Sequence, residues 1–412
     1  MQKILARIGP GMMLAAVAVG VSHLVYSTQA GANYGLSLFW VILVISLLKY
    51  PAFRLAVDYT NVTGTSLVTA YAKISKIALA WLVVGFFVDM FIATSAVALV
   101  AAGLFISVFD LSYSNIQIAI ALVVVSAIIL LNGQYQKSER IVKILVLAFS
   151  LLTIVAMIFS LPLLGSDDRA LFAELTPSRS LSIFVIAIAG WMPMPTNGAL
   201  LFSKWVCEKR AIEGDKFDSA TALSDFRIGY TLTVVLAMCF IVMGTGVLFD
   251  TGRIAPSRPP EFAAELFTIF TTTIGQWSYP VIATAGIAVM WSTLIALMDV
   301  MPRLTDRLAG IITGRPREAP SRYKQFSIVQ VIGVSVILLF FMKSFTVFLY
   351  FATSVGLIAA PAIGYYNYIA VTSDEVSSTY TPKRGIILWN WLGVIVMTAF
   401  AIAFLYTRIF GL

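Results

Sequence analysis

Residues 190–198 read Gly190-Trp191-Met192-Pro193-Met194-Pro195-Thr196-Asn197-Gly198. Two prolines and two glycines in nine residues do not make a regular helix. Each proline removes a backbone donor and clashes with the preceding turn. Yet the residues on either side, 182–189 and 199–203, are almost wholly apolar. The pattern is a membrane-spanning helix interrupted near mid-depth, with freed carbonyls that need partners.

Composition places the whole chain in that setting. Of 412 residues, 59% are hydrophobic and only 12% charged, with a mean hydropathy of +0.92. A soluble domain is about 45–50% apolar and about 25% charged. This balance excludes cytosolic enzymes, disordered chains and nucleic-acid binders, and predicts an all-α polytopic membrane protein. Eleven apolar runs read as spans, near 9–31, 37–57, 77–105, 114–132, 141–164, 182–203, 226–249, 277–300, 325–342, 346–370 and 385–408. The apolar stretch after Lys3 and Arg7 runs past the length of a signal-peptide core, so no cleavable leader is expected. With the N-terminus inside, 22 of the 28 Lys and Arg residues fall on the cytoplasmic side, and the C-terminus lies outside. This topology, not nucleic acid, accounts for the net charge of +8.

The loops are too short for a separate catalytic domain, so any chemistry lies between the helices. Cys207 and Cys239 form no CxxC pair, which argues against a disulfide framework or structural zinc. No HExxH or GxSxG motif is present, and no enzyme activity is expected. A second irregular stretch, Gly20-Val21-Ser22-His23, falls in the first span. The first and sixth spans are five apart, and an odd number of spans per half inverts the second half. Paired broken helices in inverted halves point to a secondary transporter with its site at the midplane. The expected organisation is a single transmembrane transport domain over 1–412, with halves 1–164 and 182–370 and an additional helix 385–408.

Further residues carry a resemblance to a known family. Gly9-Pro10-Gly11, then Gln29-Ala30-Gly31-Ala32-Asn33-Tyr34-Gly35, resemble the start of the NRAMP (natural resistance-associated macrophage protein) metal transporters. Met194-Pro195 resembles that family's Met-Pro-His motif, and Tyr135 through Lys143 is similar to its segment between the fourth and fifth helices. The resemblance implies a LeuT-type fold of 11 transmembrane helices, with an inverted repeat of helices 1–5 and 6–10 and helices 1 and 6 broken at mid-membrane. It also implies proton-coupled import of divalent transition metals, no permanently bound cofactor, and, with the chain's compactness, a bacterial inner membrane. The departures are specific. The family's Asp-Pro-Gly-Asn in helix 1 falls on Gly20, Val21, Ser22 and His23. Its metal-contacting Met falls on Met194 and its His on Thr196; a slip of two residues puts Met192 and Met194 there instead. Its acidic pair in helix 3 falls on Val88 and Phe91, beside Asp89.

Candidate substrate-binding residues are therefore Gly20, Ser22, His23, Met192, Met194, Thr196 and Asn197. His23 is the sole histidine and can serve as ligand or proton carrier. With the soft thioether of Met194 it would favour a late transition metal. Asp89 is the acidic residue deepest in a predicted span, where a carboxylate costs several kcal/mol unless paired or protonated, so it and His23 are the proton-coupling candidates. Lys49 reads as a partner for Asp89 or as snorkelling to the interface. The partners expected are a lipid bilayer and a small ion or small-molecule substrate. A metal ion is one cargo. A site of neutral groups facing half-helix N-termini suits an amino acid or organic acid as the other.

Overall fold

The computed structural model describes residues 9–133, 135–165, 171–176, 178–214, 217–249, 259–315, 321–341, 344–378 and 380–410. All regular structure among them is helical, apart from an isolated antiparallel bridge between Gly35 and Phe172. Each of the eleven apolar runs lies on helix. Among the described residues, eight helices are long and apolar enough to cross a membrane, and a bent pair over the first span makes a ninth; Asn115–Leu131 and Arg179–Trp191 are shorter apolar helices.

The first span is α1 (Pro10–Ala18), a turn at Val19 and Gly20, a wide π-turn Ser22–Ser27, and α2 (Thr28–Tyr34), bent by 49°. Pro10 stands at the helix start, where its missing N–H is harmless. The second span is α3 (Phe39–Thr63), followed by the short α4 (Leu67–Ile74). The third is α5 (Lys76–Phe87), a second π-turn Val88–Ala93, and α6 (Thr94–Phe109). Next come α7 (Asn115–Leu131) and α8 (Tyr135–Ser160). The side chains of Tyr135–Lys143, one of the family-like stretches, lie outside the described residues. The sixth span is α9 (Arg179–Trp191), six non-helical residues, and α10 (Gly198–Glu213). The second half continues with α11 (Ser219–Leu248), α12 (Pro259–Ile274), α13 (Tyr279–Ile312), α14 (Tyr323–Val336), α15 (Phe345–Val371), the short α16 (Asp374–Ser377) and α17 (Arg384–Phe410).

Several helices outrun their apolar stretches, and α12 occupies a segment read from the sequence as a short connection. Hydropathy marks where a helix meets lipid. It is blind to polar turns that continue beyond the bilayer, as in the Arg54–Asp58 pair of α3, 2.9 Å apart.

The packing is inverted relative to a soluble protein. Large apolar side chains such as Trp40, Phe87, Ile332 and Leu388 point outward, as a lipid-facing surface requires. The interior holds Lys49, Asp89, Gln330, Asn367 and Asn390. Asn367 Nδ2 donates to the Ala52 carbonyl at 2.8 Å, and the Tyr71 hydroxyl donates to Asn367 Oδ1 at 2.7 Å, joining α15, α3 and α4. Close helix contacts rest on glycine. A Cβ on Gly190 would lie 2.0 Å from the Thr353 carbonyl oxygen, and one on Gly229 would lie 2.0 Å from that of Gly11.

Gly190→Ala is therefore expected to destabilise the protein by about 1–3 kcal/mol, an overpacking cost. Gly385→Ala, where a Cβ meets nothing within 4 Å, should change stability by less than about 0.5 kcal/mol. Thermal melting of the two purified variants in detergent checks the difference.

Candidate functional site

The two interruptions meet around a cavity of about 60 Å³. The first span contributes Val17, Ala18, Gly20, Val21 and Ser22, and the third Asp89, Ala93 and Val97. The sixth contributes Trp191, Met194, Pro195, Asn197, Gly198 and Leu201, and α13 adds Thr293 and Leu297. Gly20, Ser22, Asp89, Met194 and Asn197, all sequence candidates, thus share one cavity. His23, Met192 and Thr196 are buried but do not line it.

Asp89 reaches the cavity from the π-turn Val88–Ala93, whose widened winding frees carbonyls that neighbours take up. Thr94 Oγ1 donates to the Asp89 carbonyl at 3.0 Å, and Gln330 Nε2 from α14 donates to the Met90 carbonyl at 3.2 Å. Such turns recur at functional sites. The Asp89 carboxylate accepts from Asn197 Nδ2 through Oδ2 at 3.0 Å. Among the described residues no hydrogen-bond donor reaches its other oxygen, Oδ1.

Asn197 is the N-cap residue of α10, yet its side chain makes no cap hydrogen bond. An Asn cap is worth about 1 kcal/mol. Here the amide is diverted to the carboxylate across the cavity. Met194 lines the same wall, with its methyl over Gly198, where a Cβ would lie 2.2 Å from Cε. Ser22 Oγ lies 3.1 Å from the Ala18 carbonyl, at the end of α1. Thr293 Oγ1 donates toward the Ala16 carbonyl at 3.1 Å.

His23 is fully buried against α11. Its Nε2 is 2.8 Å from the Thr233 carbonyl and its Nδ1 is 3.0 Å from Ser22 Oγ. A carbonyl only accepts, so Nε2 carries the proton. The neutral ring then presents Nδ1 as an acceptor to Ser22 Oγ, whose one hydrogen is shared between Nδ1 and the Ala18 carbonyl. Nε2 has no lone pair for a metal in this arrangement, Nδ1 faces Ser22 Oγ, and the cavity does not bring His23 to Met194. Among the described residues Thr196 Oγ1 is buried without a hydrogen-bond partner, and Met192 is sealed in the core.

Lys49 takes neither expected position. It is 2% exposed, and its ammonium donates to the carbonyls of Gly190 at 2.9 Å and Met194 at 3.4 Å. The sequence carried one signal for this, a lysine within an otherwise apolar run. Thr293 was missed because a lone threonine in a span usually bonds its own helix, as this one also does toward the Val289 carbonyl at 3.0 Å.

Two larger clefts lie elsewhere. One of about 690 Å³ is lined by apolar side chains such as Phe87, Phe91, Ile337 and Phe348, on faces where lipid tails pack. The other, of about 280 Å³, is lined by Lys204, Glu208, Arg303 and Asp306 near helix ends. Lys204 pairs with Glu208, Arg303 with Asp299, and Asp306 with Arg315. Neither cleft gathers the converging buried polar groups that the small cavity does, so the small cavity is the candidate site.

Comparison with known proteins agrees with this architecture. The sequence model of a family described as "Natural resistance-associated macrophage protein-like" matches residues 11–407. Uncharacterized protein PM0681 of Pasteurella multocida is 28% identical over 407 residues, covering 97% of this chain and 92% of its own. A crystal structure of the manganese transporter of Eremococcus coleocola, in complex with an aromatic bis-isothiourea substituted compound, superposes with a TM-score of 0.68 at 17% identity, covering 97% of this chain and 86% of that one. Mhp1, a nucleobase-cation-symport-1 family transporter, superposes with a TM-score of 0.59 at 16% identity, covering 98% of this chain and 88% of that one. At these identities the superpositions establish the LeuT-type fold.

The Asp89–Asn197 contact is expected to couple the two residues energetically. In a double-mutant cycle of Asp89→Ala and Asn197→Ala, read by denaturation in detergent, the coupling should be about 0.5–3 kcal/mol. Additive effects would mean that the contact carries no energy of its own.

Proposed function

The chain belongs to the natural resistance-associated macrophage protein-like family of membrane transporters, and from that premise we propose that it imports a divalent transition-metal ion, coupled to protons, through a site centred on Asp89. One observation carries the reading. A carboxylate with a free oxygen, an amide, a thioether and a hydroxyl line one cavity of about 60 Å³ between two broken helices. That volume holds an ion with one or two waters. It is far below the roughly 300 Å³ at which small-molecule pockets begin, which weighs against an amino acid or organic acid.

Aspartate at Asp89 supplies the charge that the first span lacks. Rotation of the Asn197 amide by half a turn presents Oδ1 in place of Nδ2 and makes it a second oxygen ligand. Met194 adds sulfur, which favours a transition metal over magnesium or calcium. Val17 and Ala18, at the end of α1, line the same space, and the negative end of that helix favours a cation. The carboxylate has one amide donor. A proton on it removes the charge; an incoming metal displaces that proton, and its release to the inside carries proton and metal the same way. Asp89 thereby supports proton coupling. His23, with Ser22, serves instead to tie the π-turn of the first span to α11. The manganese named for the Eremococcus coleocola transporter agrees with a metal cargo.

The wider reading has a single transport domain over 1–412, with inverted halves 1–164 and 182–370 and an added helix 385–408. Its N-terminus is cytoplasmic and its C-terminus outside, in a bacterial inner membrane.

Uptake of manganese or cadmium into proteoliposomes, with a metal-sensing and a pH-sensing dye inside, tests this. The wild type should accumulate metal and acidify the lumen. Asp89→Asn and Met194→Ala should each weaken metal affinity about tenfold or more, the loss of a ligand worth about 1.4 kcal/mol. His23→Gln, which keeps a donor toward Thr233, should stay within about threefold of wild type, under 1 kcal/mol. Loss of metal binding in His23→Gln with retention in Asp89→Asn would overturn the assignment and restore a histidine site.

A further inference from the structure

The break in the sixth span leaves a cluster of backbone oxygens at the end of α9, and a lysine is already in it. Lys49 extends from the middle of α3 (Phe39–Thr63), is 2% exposed, and donates to the carbonyls of Gly190 and Met194. Among the described residues no carboxylate forms an ion pair with it, and Asp89 hydrogen-bonds Asn197 instead. A buried ammonium costs several kcal/mol unless something offsets it. The groups facing it here are the negative end of a half-helix and an unwound carbonyl. Neutral oxygens at a helix break are the chemistry with which a membrane protein binds an alkali cation.

We propose that Lys49 is a tethered cation: its ammonium fills a cation site formed by the Gly190 and Met194 carbonyls, so that the protein holds its own helix break with a built-in charge and binds no alkali ion there. This is independent of the cargo in the neighbouring cavity. Two features of the place support it. Hydrogen bonding alone could be met by an amide, without the cost of burying a charge. Gly190 is also pressed against the Thr353 carbonyl oxygen, so the strand of backbone at the break is fixed on its far side and cannot turn its carbonyls elsewhere. The ammonium is thus the group that keeps Met194, whose side chain lines the cavity, in its place.

The test removes the tether and asks whether a free cation replaces it. Purified Lys49→Ala is melted in about 100 mM propylammonium, methylammonium, sodium, potassium or tetramethylammonium chloride. Tetramethylammonium matches ionic strength but has no N–H to donate. Lys49→Ala should melt below wild type and regain about 3 °C or more with propylammonium or an alkali ion, by mass action on the folded state. Wild type and Lys49→Arg should show no such difference among the salts. A folded Lys49→Ala that responds to none of them beyond the wild-type response would overturn the proposal. If Lys49→Ala cannot be purified, Lys49→Met and Lys49→Arg decide. Wild-type stability in the methionine variant, which has the length but no charge, would overturn it. Stability in the arginine variant alone would uphold it.

Discussion

A transmembrane helix that stops and restarts in lipid exposes backbone groups that water cannot reach, and each costs several kcal/mol if left alone. Met192–Asn197 is such an interruption, and the centre of the molecule is organised to satisfy it. The N–H groups of Gly198, Ala199 and Leu200 bond to the carbonyls of Pro195, Thr196 and Asn197 within a tight turn. The carbonyls of Gly190 and Met194 are met from α3 by Lys49. The Asn197 side chain, free of capping duty, reaches the third span at Asp89. The polar groups that line the cavity are therefore held by the same contacts that make the break tolerable.

The first and third spans solve a smaller version of the problem with π-turns. Ser22–Ser27 and Val88–Ala93 each widen the helix by part of a turn and rotate the helix beyond them. In the third span the rotation aims Asp89 inward, with Thr94 and Gln330 bonding to the loosened carbonyls. In the first it buries His23 against α11, where both ring nitrogens have partners. Two neighbouring irregularities thus give their titratable groups opposite surroundings. Asp89 keeps an oxygen free beside a cavity, and His23 turns both ring nitrogens to protein groups.

Span positions and both interruptions were legible in the sequence because they are written locally: apolar runs for the lipid, Met192–Gly198 for one break, Gly20–His23 for the other. The resemblance to a transporter family was legible for the same reason, in short motifs such as Gly9-Pro10-Gly11. The pairing of Asp89 with Asn197 was not. It depends on the rotation imposed by a π-turn, and residues 88–93 contain no proline or glycine to announce one. The expected partnership of His23 and Met194 came from their both standing at breaks, but depth does not fix which way a side chain points. Lys49 was assigned to the cytoplasmic side by charge asymmetry, although it stands near the middle both of the span read as 37–57 and of the helix Phe39–Thr63. What it meets there, the carbonyls of Gly190 and Met194 in the sixth span, depends on helix packing, which a count of charges does not show.

The measurement that bears most directly on a site centred on Asp89 is a crystal structure of the manganese-soaked protein, with anomalous scattering locating the metal. Such a site predicts an anomalous peak within about 2.5 Å of an Asp89 carboxylate oxygen, on the side facing Asn197 and Met194. A peak beside His23 or at another set of ligands, with the Asp89 cavity unchanged, would contradict it.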